Sequence, residues 1–141
     1  MIDIQINIPY FLENEEEQQE ITDFLATGSN CFDFNNIIPM RPNEHKLSYW
    51  DCDGIKGNPV MEVEESNIRY CFSVEQFPNK IIQALQARYP YMKYCYRLGN
   101  KLIFKSGEAT LQMDYDTKNK DGLMQDLSIL VRDYEYTDIP F

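Results

Sequence analysis

The chain has 141 residues, 43% of them hydrophobic and 13% aromatic, with a formal net charge of -10. That length and composition fit one folded domain with one core and exclude a disordered chain. No apolar run approaches the ~18 residues of a membrane span, and the start, Met1-Ile2-Asp3-Ile4-Gln5, lacks the basic residues and apolar stretch of a secretory signal, so a cytoplasmic setting is expected.

Ile2, Ile4, Ile6 and Ile8 alternate with polar residues and predict a half-buried strand, which Pro9 ends. Asn14 can cap a helix over 14–27, with Glu15, Glu16 and Glu17 at its dipole-favoured first turn, Ile21, Phe24 and Leu25 on one face, and Gly28 as its stop. Residues 31–40 are apolar without a clear period and are expected to form a packed connector. The Gly- and Pro-rich stretch 41–59 reads as loop, anchored by Trp50.

Strands are then predicted at Val60 to Glu65 and at Ile68 to Val74, and a helix that Pro78 opens and Pro90 stops. A further strand covers Met92 to Leu98. A hairpin follows around Ser106-Gly107, and Leu127, Ile129 and Val131 suggest a last strand before a Tyr-rich tail.

The order strand, helix, strand, strand, helix, strand predicts an α+β fold. It is a ferredoxin-like antiparallel sheet with two helices on one face, extended by C-terminal strands. The chain reads as a single domain, residues 1–141, with a core over 1–98 and an extension over 99–141. The first strand is expected in the centre, flanked by 68–74 and 91–98. The other sheet face is expected to be open and to show Asp3, Gln5 and Asn7 beside Arg69, Cys71, Ser73, Lys93, Cys95 and Arg97. Cys71 and Cys95 then lie about 10 Å apart across the central strand, beyond the ~7 Å that a disulfide tolerates.

The segment Phe32-Asp33-Phe34-Asn35-Asn36-Ile37-Ile38-Pro39-Met40 resembles the hallmark of the YubB-like family of phage, plasmid and enterobacterial proteins. Trp50, the strand Ile68 to Val74 and Ala87-Arg88-Tyr89-Pro90 occupy the places of that family's later features, so the likeness covers residues 1–98. It implies a mobile-element origin and a ferredoxin-like domain, and no catalytic activity. Two stretches depart from it. Asp53 to Asn58 stands where the family has a Trp-Gly-Thr-Lys-Trp-like run, and Glu75 to Pro78 where it has a Trp-Ser-Pro-Pro-like turn.

Catalytic signatures are absent: the chain has no P-loop, no G-x-S-x-G and no H-E-x-x-H. Four scattered cysteines and the lone His45, in a charged loop, make no zinc pattern and read as reduced thiols and a solvated imidazole. No cofactor or metal is therefore expected. Asp51 and Asp53 before Gly54 are the one arrangement that suits a hard cation, and they carry the alternative of a small metal-dependent hydrolase or nuclease. A second alternative is weak RNA binding through Arg69, Lys93 and Arg97, against which stands a face without aromatics.

Charge is the stronger signal. Residues 1–40 carry -8 with no Lys or Arg, whereas residues 67–105 carry +6. Such an acidic surface repels phosphates and disfavours direct nucleic-acid binding. Glu13, Glu15, Glu16, Glu17, Glu20 and Asp23 are the candidate partner-binding residues. The corresponding reading is a non-enzymatic interaction module of a mobile element. It would inhibit a host nucleic-acid-binding defence complex, such as a CRISPR effector, through that complex's basic surface. The charge split also allows an isologous dimer, with Tyr134, Tyr136 and Phe141 as interface aromatics.

Overall fold

The computed structural model describes residues 1–11, 15–106 and 109–114. The expected strand at 127–131, the Tyr-rich tail and Glu13 lie outside them. Over the described residues the fold is α+β, with a six-stranded antiparallel sheet and four helices. The strands are β1 (Ile2–Pro9), β2 (Ile55–Val63), β3 (Asn67–Val74), β4 (Lys93–Leu98), β5 (Lys101–Ser106) and β6 (Ala109–Asp114). The helices are α1 (Glu15–Leu25), α2 (Phe34–Ile37), α3 (Lys46–Trp50) and α4 (Asn79–Arg88).

The sheet order is β2-β3-β1-β4-β5-β6, so β1 lies between β3 and β4, the place expected from the order of strands and helices. Its register explains the core. Ile4 stands between Phe72 and Tyr96, and Ile6 between Tyr70 and Tyr94. These side chains share the face on which Ile21 and Leu25 of α1, Phe34 of α2, Trp50 of α3, and Ile81, Ile82 and Leu85 of α4 are buried.

Two helices appear where a connector and a loop were expected. Four or five residues are too few to display a 3.6-residue period, and what forms α2 is hydrogen bonding. Asp33 caps it, its Oδ1 accepting from the Asn35 N–H at 2.9 Å. Asn35 Oδ1 accepts from the Met40 N–H at 2.8 Å, and Asn36 Nδ2 donates to the Ala26 carbonyl at 3.0 Å. Phe32 and Phe34, alternating with these polar residues, enter the core. Phe32 stacks on Phe72 with ring centroids 5.0 Å apart, and Phe34 meets Trp50 edge-on at 5.5 Å. Trp50 is the anchor that the sequence suggested, its Nε1–H donating to the Ile38 carbonyl at 2.9 Å.

Strand β2 starts five residues earlier than expected. Its register shifts between Lys56 and Val60, so Gly57, Asn58 and Pro59 form an irregularity. Proline is tolerated there because β2 is an edge strand, and Gly57 supplies a φ of 74°.

The second sheet face corrects an expectation, because it is not open. Gln5, Asn7, Arg69, Cys71 and Cys95 are buried, together with Leu102 and Phe104. The register supplies part of the reason. Phe104 pairs with Cys95 and Leu102 with Arg97, so β5 adds an apolar patch beside the polar side chains of β1 and β3. Those polar groups hold one another. Gln5 Nε2 donates to Asn7 Oδ1 at 3.5 Å, Asn67 Nδ2 to the same oxygen at 3.1 Å, and the Arg69 guanidinium is gripped by Glu62 and Glu64. Gln5 pairs with both Cys71 and Cys95, so a whole strand separates the two thiols.

On the helix side, Tyr70 is fully buried with a hydroxyl that has no partner among the described residues. Such a group costs its desolvation without repayment. Tyr70→Phe keeps the ring and removes that cost, so it is expected to be neutral or to stabilise by about 1 kcal/mol. Urea-unfolding midpoints of the two proteins check this; a clear loss of stability would mean that the hydroxyl is bonded.

Candidate functional site

Helix α1 sorts its residues by face. At ~100° per residue, Ile21 and Leu25 turn inward, and Glu16, Glu20 and Asp23, at i, i+4 and i+7, fall within about 60° of one another on an outward face. They span about 10 Å of helix. All three are exposed, as is Glu15 in the first turn. Among the described residues no ion pair engages Glu15, Glu16, Glu20 or Asp23; Asp23 only accepts a hydrogen bond from Gln19 Nε2 at 2.8 Å. The stripe therefore keeps its charge toward solvent. Like charges at i, i+4 cost an isolated helix about 0.2–0.5 kcal/mol, and burial of Ile21 and Leu25 outweighs that.

Glu17 differs from its neighbours. It is half-buried and lines a shallow groove with Pro9, Tyr10, Phe11 and Tyr91. Tyr91 and Phe11 are strongly exposed there, at 81% and 77%. Of the six candidate residues, then, four form the exposed charged surface, Glu17 turns aside, and Glu13 lies outside the described residues. Arg88 borders the stripe with its guanidinium 3.7 Å from the Phe24 ring centre, in a cation–π contact.

Asp51 and Asp53 occupy the turn after α3. Asp51 is the C-cap of that helix, with a φ of 62°, and its Oδ1 lies 3.9 Å from Lys80 Nζ. Asp53 Oδ2 pairs with Lys56 Nζ at 3.0 Å. Each carboxylate thus faces its own lysine, and the described residues bring together no group of three His, Cys, Asp or Glu side chains fit to hold a metal. Neither lysine pairing was anticipated from the sequence. His45 is exposed at the start of α3, and its side chain makes no capping bond.

The RNA-binding alternative loses one of its three bases. The Arg69 side chain is 4% exposed and committed to Glu62 and Glu64. Lys93 and Arg97 are half-buried and also engaged in interactions. Tyr94 and Tyr96 are only partly buried, at the margin of the helix-covered core, with Phe77 4.6 Å from Tyr96 between ring centres.

One concavity escaped the sequence reading altogether. A cleft of about 510 Å³ opens between the Asp33–Phe34 segment and the start of β2, lined by Lys46, Trp50, Asp53, Gly54 and Lys56 among others. The two stretches that form it are 20 residues apart in the chain and only tertiary packing joins them. The Gly54 and Gly57 turns were the one available signal.

Three of the thiols show no activation. Burial pushes the Cys31 and Cys52 thiols up and the Cys95 thiol far up, the opposite of what a nucleophile needs. Among the described residues no helix is long and apolar enough to cross a membrane. In comparisons with known proteins, the chain matches no family model, no curated protein and no solved structure.

Proposed function

We propose that the chain is a non-enzymatic interaction module whose α1 surface docks on a basic surface of a partner protein. The observation that carries this reading is the stripe of Glu16, Glu20 and Asp23, exposed and without ion pairs to described residues, with Glu15 beside it. Four carboxylates on one helix attract a basic groove at long range and exclude nucleic acid from it. The natural targets of such a surface are proteins that handle nucleic acid. The YubB-like resemblance adds a mobile-element origin, and with it the role of an inhibitor of a host defence complex in the bacterial cytoplasm. The strand order β2-β3-β1-β4 and the β1-α1-β2-β3-α4-β4 succession, with the short α2 and α3 inserted between α1 and β2, support a ferredoxin-like core over residues 1–98, to which residues 99–141 are an extension.

The test is affinity capture from a lysate of the plasmid- or phage-bearing host with two baits, the native chain and a variant carrying Glu15→Lys, Glu16→Lys, Glu20→Lys and Asp23→Lys. The expected result is a nucleic-acid-binding protein retained by the native bait, released by added DNA or RNA, and lost with the variant. Equal retention by both baits would remove α1 from the interface.

A further inference from the structure

The cleft between residues 29–34 and the start of β2 has walls that are tied in place. Cys31 Sγ, on one wall, donates to the Pro59 carbonyl of the other at 3.5 Å, and the Asp33 N–H donates to the Leu25 carbonyl at 2.8 Å. The Asp53 N–H donates to Gln76 Oε1 at 3.1 Å, and the indole of Trp50 is held by the Ile38 carbonyl. At about 510 Å³ the cleft is of the size that takes small molecules, roughly 300–1,000 Å³. Gly54, with a φ of 112°, leaves a bare stretch of backbone in its wall. Trp50 Cζ3 and Lys46 Nζ come within 3.9 and 4.0 Å of the point where a Cβ would stand there. An aromatic edge and an ammonium group thus meet at one position of the cleft.

The charged groups of the lining are not used alike. Asp53 Oδ2 pairs with Lys56 Nζ at 3.0 Å, and its Oδ1 is closed off from solvent. Asp33 Oδ1 is taken up by the Asn35 N–H. Lys46 is exposed, and among the described residues no hydrogen bond or ion pair engages its ammonium. The same holds for the side chains of Ser29 and Asn58, and for the amide nitrogen of Asn30, whose oxygen accepts from the Phe32 N–H at 3.3 Å. An ammonium group has three N–H donors, a side-chain amide two and a hydroxyl one. The cleft therefore gathers uncommitted donors around a cation that no described carboxylate neutralises, and its complement is a molecule rich in acceptors with a negative charge. We propose that the cleft binds a small organic oxyanion of metabolite size, a carboxylate or a phosphate ester. Its charged group sits on Lys46 and its other oxygens on Ser29, Asn30 and Asn58. No residue of α1 lines this cleft, so the site stands or falls independently of the acidic docking surface.

Trp50 is the only tryptophan of the chain, so its fluorescence reports on the cleft wall. The full-length protein is titrated with citrate, with ribose 5-phosphate and, as the uncharged control, with ribose. Each is taken to about 20 mM with the melting temperature recorded alongside, because a ligand that binds only the folded state raises it. The expected result is a saturable change in Trp50 emission and a higher melting temperature with citrate or ribose 5-phosphate, and neither with ribose. A response to citrate alone makes the carboxylate the recognised group, and one to ribose 5-phosphate alone makes it the phosphate. Lys46→Ala, a change at an exposed position, should weaken binding by about tenfold or more through loss of a charge-assisted hydrogen bond. Lys46→Arg should restore most of it. The proposal is overturned if neither anion changes emission or melting temperature, if ribose acts as strongly as the anions, or if Lys46→Ala weakens binding by less than about tenfold.

Discussion

Replacing Trp50 with alanine is expected to lower the unfolding free energy by about 3–5 kcal/mol. Trp50 is 6% exposed and packs edge-on against Phe34, which in turn meets Phe72 edge-on at 5.6 Å. Its removal leaves a large cavity and strands the Ile38 carbonyl, which accepts the indole N–H. That carbonyl is only part-buried, so losing its partner adds less than the about 1–3 kcal/mol of a fully buried acceptor. Against a total stability of about 5–15 kcal/mol for a domain, the variant stands near unfolding. Trp50→Phe keeps much of the ring packing but loses the hydrogen bond, so it should fall between the two. Urea unfolding followed by far-ultraviolet circular dichroism measures all three proteins. A loss under about 1 kcal/mol for the alanine variant is ordinary for a surface site and would mean that α3 is not packed as described.

Alkaline conditions should destabilise the protein well before they alter most surface groups. Burial raises the Cys95 thiol and the Tyr70 phenol far above their ordinary values, so both stay protonated in the folded chain. The unfolded chain releases the thiol proton near pH 8.5. Above that pH the folded state binds more protons than the unfolded state, and stability therefore falls as pH rises. Below it the contribution is fully present. A completely protected thiol gives a slope of about 1.4 kcal/mol per pH unit. Urea midpoints should be level from pH 6 to about 8 and then drop, and Cys95→Ala should make the drop shallower. An unchanged alkaline slope in that variant would show that Cys95 reaches solvent.

Much of the sheet was legible because the alternation of Ile2 to Ile8, Ile68 to Val74 and Tyr94 to Leu98 is strong and its period is unmistakable. Periodicity reports which residues share a face. It does not report whether that face is covered, and so Gln5 and Asn7, polar and on the side away from the helices, read as open while they are buried. Arg69 looked available for the same reason; one carboxylate partner, Glu62, pairs with it in register from the neighbouring strand, and the other, Glu64, follows just past that strand's end. The short helices α2 and α3 depend on caps and on Phe34 and Trp50 finding each other, which are contacts between segments rather than patterns within one. The acidic surface was readable in full up to its geometry. Composition placed the charges on α1, and the helical period, once the buried face was known, separated the stripe of Glu16, Glu20 and Asp23 from the inward-leaning Glu17.

Once a partner is captured, the most direct measurement is its affinity for the native chain and for the fourfold Glu15, Glu16, Glu20 and Asp23 to Lys variant, taken from about 50 to 500 mM salt, a range that brings the Debye length well below 10 Å. Complementary charge predicts that native binding weakens steeply with salt, mainly through slower association. The variant should bind at least about 100-fold more weakly at the low-salt end, the loss converging as screening rises. Equal affinities, with parallel salt dependences, would contradict an interface built on α1.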